Sequence, residues 1–563
     1  MKGSYKEFYE ELNSNLKNIK NLKEFLLLKN ELIKKYQLKQ TPSYIQILTN
    51  INNSLFKKLE FLQTKPTRTI SGVAPIAIMT RPYGCPHGKC IYCPGGIKSY
   101  FGNVPQSYTG HEPAAMRAKR NFYDPYLQVF NRLEQYALLN QNFNKVELIV
   151  MGGTFLSTPE TYQKDFVTYS FKAMNDFSKM FIKNSNFNFE KFKKFFELPA
   201  DVHDKYKTKR LQNKILKLKQ DSNLKKEHIK NESSYVRCVT LALETRPDVC
   251  SISHINNALS YGSTRMELGV QSLQDKILKK ANRGHNVRDI INATQLLKDS
   301  FFKTGYHIMP GLPGSTKASD IGTFKELFSN PDFKPDALKI YPCMVMPGTK
   351  LYEHYKKKRF RPLTAEKAAE IIAESKRYIP KYCRIMRIQR DIPSKLVAAG
   401  VDATNLRQHI HELLKQKGIK CNCIRCHEPK DQQVSFGDVK FLKTEYLASG
   451  GTEIFLSAED VKNNFLLGFL RLRIPCRPFR REITANSAGI RELHVYGTPV
   501  PLGKKSSKIQ HRGYGHILIE ESEKIAKEQF GIKKLLVISG IGVKPYFCSL
   551  GYKKDSVYMS KKL

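Results

Sequence analysis

Six short apolar runs, each closed by glycine, proline or charge, constrain this chain more than any other feature. They are 73–80 (VAPIAIMT), 145–153 (KVELIVMGG), 238–248 (CVTLALETRPD), 265–272 (RMELGVQS), 304–314 (TGYHIMPGLPG) and 337–345 (ALKIYPCMV). Between most of them lie stretches long enough for a helix. Repeated strand–helix units call for a parallel α/β sheet or barrel, because parallel neighbours need a long crossover. Six strands are too few for a complete eight-stranded barrel. In such folds the chemistry gathers at the C-terminal ends of the strands. Those ends carry Cys85–Cys93, Gly152-Gly153, Glu244-Thr245-Arg246, Gln271-Ser272 and Pro310–Gly314.

The remaining stretches divide the chain further. Residues 1–70 are rich in Lys, Asn and Leu at helical spacing and read as a basic helical region. Residues 71–380 hold the strand–helix series. Within them, 183–231 carries fourteen Lys/Arg against six Asp/Glu and few branched apolar residues. It reads as an inserted, partly helical or flexible segment. Residues 381–435 hold a cysteine cluster and few strand signals, which suits a metal-bearing linker. From 436 to 563 a second α/β pattern forms a separate domain, with a helix expected from about 513 to 529.

Charge narrows the partners. Lys plus Arg is 94 and Asp plus Glu is 51, a net charge of +43. That excludes a mainly cationic partner and favours a polyanion, because each cation placed on a phosphate releases condensed counterions. A Lys- and Asn-rich base composition is the plainer source of the same charge. The first residues, MKGSYKEFYEELNSNLKN, have no apolar signal core, and no apolar run reaches the roughly 18 residues of a membrane span. A soluble cytoplasmic protein is expected.

Six of the twelve cysteines fall in two tight clusters. Clustered thiols in a large chain point to metal ligation in a reducing compartment. Cys85, Cys90 and Cys93 follow the first strand as C-x4-C-x2-C. Three thiolates bind three irons of a [4Fe–4S] cube and leave the fourth open for the amine and carboxylate of S-adenosylmethionine. A zinc ion on the three cysteines and His87 is the alternative. Gly152, Gly153 and Thr154 end a strong strand where backbone could approach that cofactor. Cys421, Cys423 and Cys426 supply three soft ligands for a structural zinc, with Cys383, His409, His411 or His427 as the fourth.

Near the C-terminus, Gln510, His511, Arg512, Gly513, Tyr514 and Gly515 fit Q/R-x-x-G-x-G/A ahead of a helix. Backbone N–H groups in such a loop face phosphates, and the helix N-terminus adds a favourable field. With KPYFCSLGY (544–552), the pattern resembles the GCN5-related N-acetyltransferase (GNAT) fold and its pyrophosphate loop for acetyl-CoA.

The motifs CPHGKCIYCPGG (85–96), QSYTGHEPAAMRA (106–118), VMGGTF (150–155), ETRPDVC (244–250), LGVQS (268–272), NRGH (282–285), RIQRDIP (387–393), GVDATNLR (400–407), RELHVYG (491–497) and QHRGYG (510–515) together resemble the family of the catalytic third subunit of Elongator, a tRNA uridine acetyltransferase. The short first cysteine spacing matches archaeal and bacterial relatives. The resemblance implies a radical S-adenosylmethionine partial (β/α)6 barrel, a zinc-bearing linker and a GNAT domain. It implies the wobble uridine in the tRNA anticodon stem-loop as target, with a deoxyadenosyl radical activating the methyl group of acetyl-CoA. Addition at uracil carbon 5 and hydrolysis from CoA then leave a carboxymethyl group. An electron donor is needed, and other Elongator subunits or a second copy are candidate partners. Carried over by residue, Glu492, Leu493, His494 and Val495 line the acetyl-CoA site and Tyr546 matches the family's first Tyr before Leu-Gly-Tyr. The second Tyr is Phe547 here, which cannot donate a proton to a leaving thiolate. Cys548 follows, with a buried structural thiol the plain expectation. A protein lysine acetyltransferase with a structural or redox iron–sulfur domain is the alternative. Arg81, Lys98, Arg117, Lys119 and Arg120, with the N-terminal lysines, are the expected RNA contacts.

Overall fold

The computed structural model describes residues 3–38, 40–51, 72–199, 204–402, 405–430, 432–497 and 513–563. The contacts divide them into two compact units. One comprises 1–76, 126–146 and 168–237; the other comprises 77–125, 147–167 and 238–563. Among the described residues no helix is long and apolar enough to cross a membrane.

The first sheet contains β1 (Ala74–Met79), β2 (Lys145–Met151), β3 (Arg237–Thr245), β4 (Arg265–Gln271), β5 (Lys303–Ile308), β6 (Ala337–Ile340) and β7 (Arg384–Ile388). They lie side by side in chain order, so the sheet winds in one direction with no switch point. From β3 to β7 every pairing is parallel. The six expected strands are present, and β7 is a seventh. It lies in the stretch read from sequence as linker, because Arg384 and Arg387 interrupt the apolar signal and only Ile385 and Ile388 are buried.

The lysine-rich segment 183–231 is more ordered than its composition suggests. It carries helices Phe189–Phe195, Lys205–Leu216 and Leu224–Ser233. Phenylalanine replaces the missing branched residues: Phe177, Phe181, Phe192, Phe195 and Phe196 pack in edge-to-face and tilted pairs, with ring centroids 4.7–6.3 Å apart.

The second sheet contains β8 (Val439–Ala448), β9 (Gly451–Asp460), β10 (Phe465–Ile474), β11 (Ser487–Val495), β12 (Lys534–Val537), β13 (Lys553–Asp555) and β14 (Tyr558–Lys562), in the order 8-9-10-11-12-14-13. β11 meets β10 antiparallel, with a bulge at Arg471/Leu472. It meets β12 parallel, but only over Ser487–Ile490. Past Ile490 the two strands part, leaving Arg491–Val495 unpaired with β12. The helix Tyr514–Phe530 packs its apolar face on Leu456, Leu470, Ile490 and Leu535.

Ion pairs join the two sheets. Arg491 bridges Asp336 (2.7 Å) and Glu453 (2.8 Å), and Arg473 bridges Asp299 (2.5 Å) and Glu453 (2.9 Å). All five side chains are at most 1 % exposed. Lys303 of β5 pairs with Glu492, which also takes Arg471 at 2.8 Å.

Candidate active site

The loop after β1 presents the first cysteine trio. Cys90 and Cys93 are buried and Cys85 is partly exposed. Burial pushes the Cys93 thiol up to about 11, and raises Cys85 as well. Around them stand donors that would steady thiolates: Ser107 N–H donates to Cys93 Sγ (3.2 Å) and Arg283 Nη1 to Cys90 Sγ (3.4 Å). His87 Nε2 lies 3.2 Å from Cys90 Sγ, and Thr154 Oγ1 lies 3.8 Å from Cys85 Sγ.

Gly152 and Gly153 sit beside this loop at φ +137° and +97°. A Cβ on Gly152 would stand 2.1 Å from Thr80 Oγ1, and one on Gly153 would stand 2.9 Å from Gln106 Cβ. Only glycine allows this approach. Several buried polar atoms here lack a hydrogen-bond partner within the protein: Arg246 Nη1, Arg283 Nε, Gln271 Oε1 and His285 Nδ1. Such atoms are costly to bury unless a ligand satisfies them. Gln271 also has φ +70°, backbone strain of the kind found at ligand sites. Burial and the nearby Arg283 push His285 down to about 2, so its ring is neutral. Its Nε2 donates to Val270 O (3.2 Å), leaving Nδ1 an acceptor. The donor set, the glycine cradle and the unsatisfied polar atoms fit an iron–sulfur cluster with a polar organic ligand beside it.

Inside the sheet, charges are paired in series. Arg265 takes Glu147 (2.8 Å) and Glu267; Lys339 takes Glu267 (3.6 Å) and Glu244 (3.2 Å). Tyr108, from the loop after the cysteines, donates to Glu244 (3.1 Å).

In the second sheet, the end of β11 beyond its pairing with β12 lies by the start of the helix Tyr514–Phe530. A Cβ at Gly515 would lie 3.5 Å from Tyr546 Oη, 3.6 Å from Val495 and 3.9 Å from Leu493. This brings together Gly515, Leu493, Val495 and Tyr546. Burial raises the Tyr546 phenol above its ordinary range. Phe547 points into the core, 4 % exposed, against Tyr552. Two placements differ from expectation. Glu492 is held in ion pairs with Lys303 and Arg471, and Cys548 is exposed, not buried. His494 stacks between Phe469 and Tyr496. Gln510, His511 and Arg512 lie outside the described residues; Gly513, at φ +77°, caps the helix that Tyr514 begins.

Residues 79–327 match the model of the radical SAM superfamily, and 335–416 match that of the radical SAM C-terminal domain. The chain is 47% identical over 531 residues to a tRNA uridine(34) acetyltransferase of Methanocaldococcus jannaschii, covering 93% of this chain and 90% of that protein. It is 40% identical over 545 residues to Elongator complex protein 3 of Saccharomyces cerevisiae, covering 94% and 90%. The solved structure of an N-terminally truncated Methanocaldococcus infernus Elp3 superposes with a TM-score of 0.71 at 41% identity, covering 88% of this chain and all of that one. The chain belongs to the Elongator complex protein 3 family. In this Elongator-type chain the C-terminal match begins just before β6 and takes in β7, so the seventh strand is part of the radical SAM fold.

The family's second cysteine trio is compact. The Sγ atoms of Cys421, Cys423 and Cys426 all lie within 4.8 Å of one another, and Cys423 and Cys426 are 3.5 Å apart. Hydrogen bonds from Cys421 and Cys426 favour the Cys423 thiolate. Among the fourth-ligand candidates, His427 Nδ1 is 3.1 Å from Cys423 O and His409 Nε2 is 3.1 Å from Asn405 Nδ2. Cys383 is buried and its charge would be felt at Cys423, and His411 also senses Cys423. The three thiols supply three of the four donors that a tetrahedral soft-metal ion takes.

The strand-end reading included Arg246 but did not single out Gln106, Arg283 and His285. All four lie inside motifs that carried the resemblance, but only folding puts them around the cysteines.

Proposed function

We propose that this chain installs a carboxymethyl precursor group on carbon 5 of the wobble uridine of tRNA, using acetyl-CoA and S-adenosylmethionine. The printed activity of the relatives, tRNA uridine(34) acetyltransferase, supports the target. The observation that carries the reading is the pairing, within one compact unit, of a three-cysteine loop and a parted-strand site at Gly515 and Tyr546. When bound at Cys85, Cys90 and Cys93, a [4Fe–4S] cluster supplies the electron that cleaves S-adenosylmethionine to a deoxyadenosyl radical.

The chain's own residues do the rest. Arg246 and Arg283 offset negative charge at the thiolates. Gly152, Gly153 and Thr154 let backbone approach the cofactor, with Gln271 and His285 offering acceptors. At the second site, Leu493–Val495 line the acetyl-CoA site while Arg512, Gly513 and Gly515 take its pyrophosphate. Tyr546, not Phe547, is the phenol that can protonate the CoA thiolate as the thioester is hydrolysed. Cys421, Cys423 and Cys426 hold a structural zinc. Tyr100 and Phe122, each 68% exposed, lie next in the chain to Lys98 and to Lys119 and Arg120, an aromatic and basic pairing suited to RNA. Arg81 stacks on Tyr162 (4.7 Å), so part of its role is packing. The four-part division 1–70, 71–380, 381–435 and 436–563, a cytoplasmic location, an external electron donor, and association with other subunits or a second copy complete the reading. The lysine acetyltransferase alternative is not supported by the relatives and sits poorly with a net charge of +43.

Anaerobic reconstitution with iron and sulfide, then incubation with tRNA and both cosubstrates, tests it. Nucleoside mass spectrometry should show the carboxymethyl adduct at the wobble position. Unmodified uridine in a fully iron-loaded enzyme that cleaves S-adenosylmethionine refutes it.

A further inference from the structure

The mechanism above leaves one sequence motif and one cleft unused, and they coincide. The cleft, of about 220 Å³, opens where β7 ends and is lined by Gln389, Arg390, Asp391, Ser394, Val397 and Val401 among others. It is smaller than the roughly 300–1,000 Å³ of a drug-sized site and of the order of a single planar base. Gln389 holds φ +75°, a strained conformation for a side-chain-bearing residue, at the point where the strand turns out.

The cleft adjoins the cysteine loop. Arg390 donates to Ser107 O, and Ser107 N–H donates to Cys93 Sγ. The Arg390 guanidinium also lies over the Tyr108 ring, 5.6 Å from its centroid. A base attacked at one carbon must be held within contact distance of the reacting group. A cleft one residue from a cluster ligand's own hydrogen-bond donor meets that demand.

Its polar lining mixes donors with acceptors. Gln389 and Arg390 can donate; Asp391 gives one oxygen to Arg387 (2.7 Å) and keeps the other as an acceptor. Uracil presents a complementary edge, with a carbonyl on each side of the N3–H donor. Cytosine presents a bare N3 instead, which a carboxylate repels.

We propose that this cleft binds the target uracil, with Asp391 accepting N3–H and Gln389 and Arg390 donating to the flanking carbonyls. The proposal rests on the wobble-uridine reading and names the base pocket within it.

The test uses the full-length reconstituted enzyme and an anticodon stem-loop RNA. Asp391→Asn should raise KM for the RNA about tenfold, the scale of one base-edge contact. Its RNA-free cleavage of S-adenosylmethionine should match wild type. Ser394→Phe, which fills the cleft from its exposed rim, should abolish RNA modification with the same cleavage rate retained. Wild type should reject a stem-loop with 3-methyluridine at the target position. Unchanged KM in Asp391→Asn together with full RNA modification by Ser394→Phe overturns the proposal. So does wild-type modification of 3-methyluridine at the uridine rate. In each case, wild-type modification of uridine itself shows that the broader reading stands.

Discussion

At Gly152 a single methyl group would meet Thr80 Oγ1 at 2.1 Å, on backbone at φ +137°. Gly152→Ala should therefore displace the cradle at a strain of about 1–3 kcal/mol, weakening S-adenosylmethionine by about 5- to 150-fold. Anaerobic calorimetry on the iron-loaded variant checks this; wild-type affinity would show that the cradle does not touch the cofactor. Tyr546 carries a second residue-scale expectation. Tyr546→Phe should slow acetyl-CoA hydrolysis about 100-fold, with the Kd for acetyl-CoA little changed. The Cys85 and Gly152–Thr154 placements were legible from sequence because spacing after a strand exit limits where such residues can stand. Arg283 and His285 were not, because their role depends on which loops meet; Arg246 was placed at a strand end but not at a particular thiolate. Position within a motif says that a residue matters, but not which thiolate it faces. Cys548 was misjudged because a cysteine within an apolar stretch usually packs inward, whereas here Phe547 takes the core position.

Among the elements, β11 carries two charges that decide how the sheets are joined. Arg491 is buried between Asp336 and Glu453, and removing one partner of such a cluster leaves charge unpaired in the interior. Arg491→Ala should cost about 3–5 kcal/mol, read as a lower urea midpoint. Burial alone would raise the Glu492 carboxyl, but Lys303 and Arg471 outweigh it and hold it down to about 2, from an ordinary 4.5. A folded pKa below the unfolded one contributes stability above about pH 4.5 that fades as pH falls through about 2. Glu492→Gln should thus be less stable than wild type near neutrality, with the gap narrowing across that acid window in thermal melts. Six strands of the first sheet could be read from apolar runs bounded by breakers. β7 escaped because two of the five residues of RIMRI are charged and its buried isoleucines do not alternate, and the order of 183–231 escaped because phenylalanine, not branched residues, forms its core.

For the whole molecule, a net charge of +43 predicts strongly salt-dependent tRNA binding. Lys98→Glu with Lys119→Glu should flatten the slope of log K against log salt by about 2 and weaken binding at low salt. An unchanged slope in filter binding would place the RNA elsewhere. The radical SAM fold class followed from motif order along the chain. The interlocking of the two sheets through Asp299, Asp336, Glu453, Arg473 and Arg491 did not, since buried ion pairs leave no periodic signature.

Tracing the two acetyl carbons is the most direct test of the central claim. The iron-reconstituted enzyme is supplied with tRNA, S-adenosylmethionine and acetyl-CoA labelled with ¹³C at both acetyl positions. The account predicts that both labelled carbons appear on the wobble uridine, with deoxyadenosine released only when Cys85, Cys90 and Cys93 are intact. Label confined to protein lysines, or transferred to uridine by a variant lacking those three thiols, would contradict it.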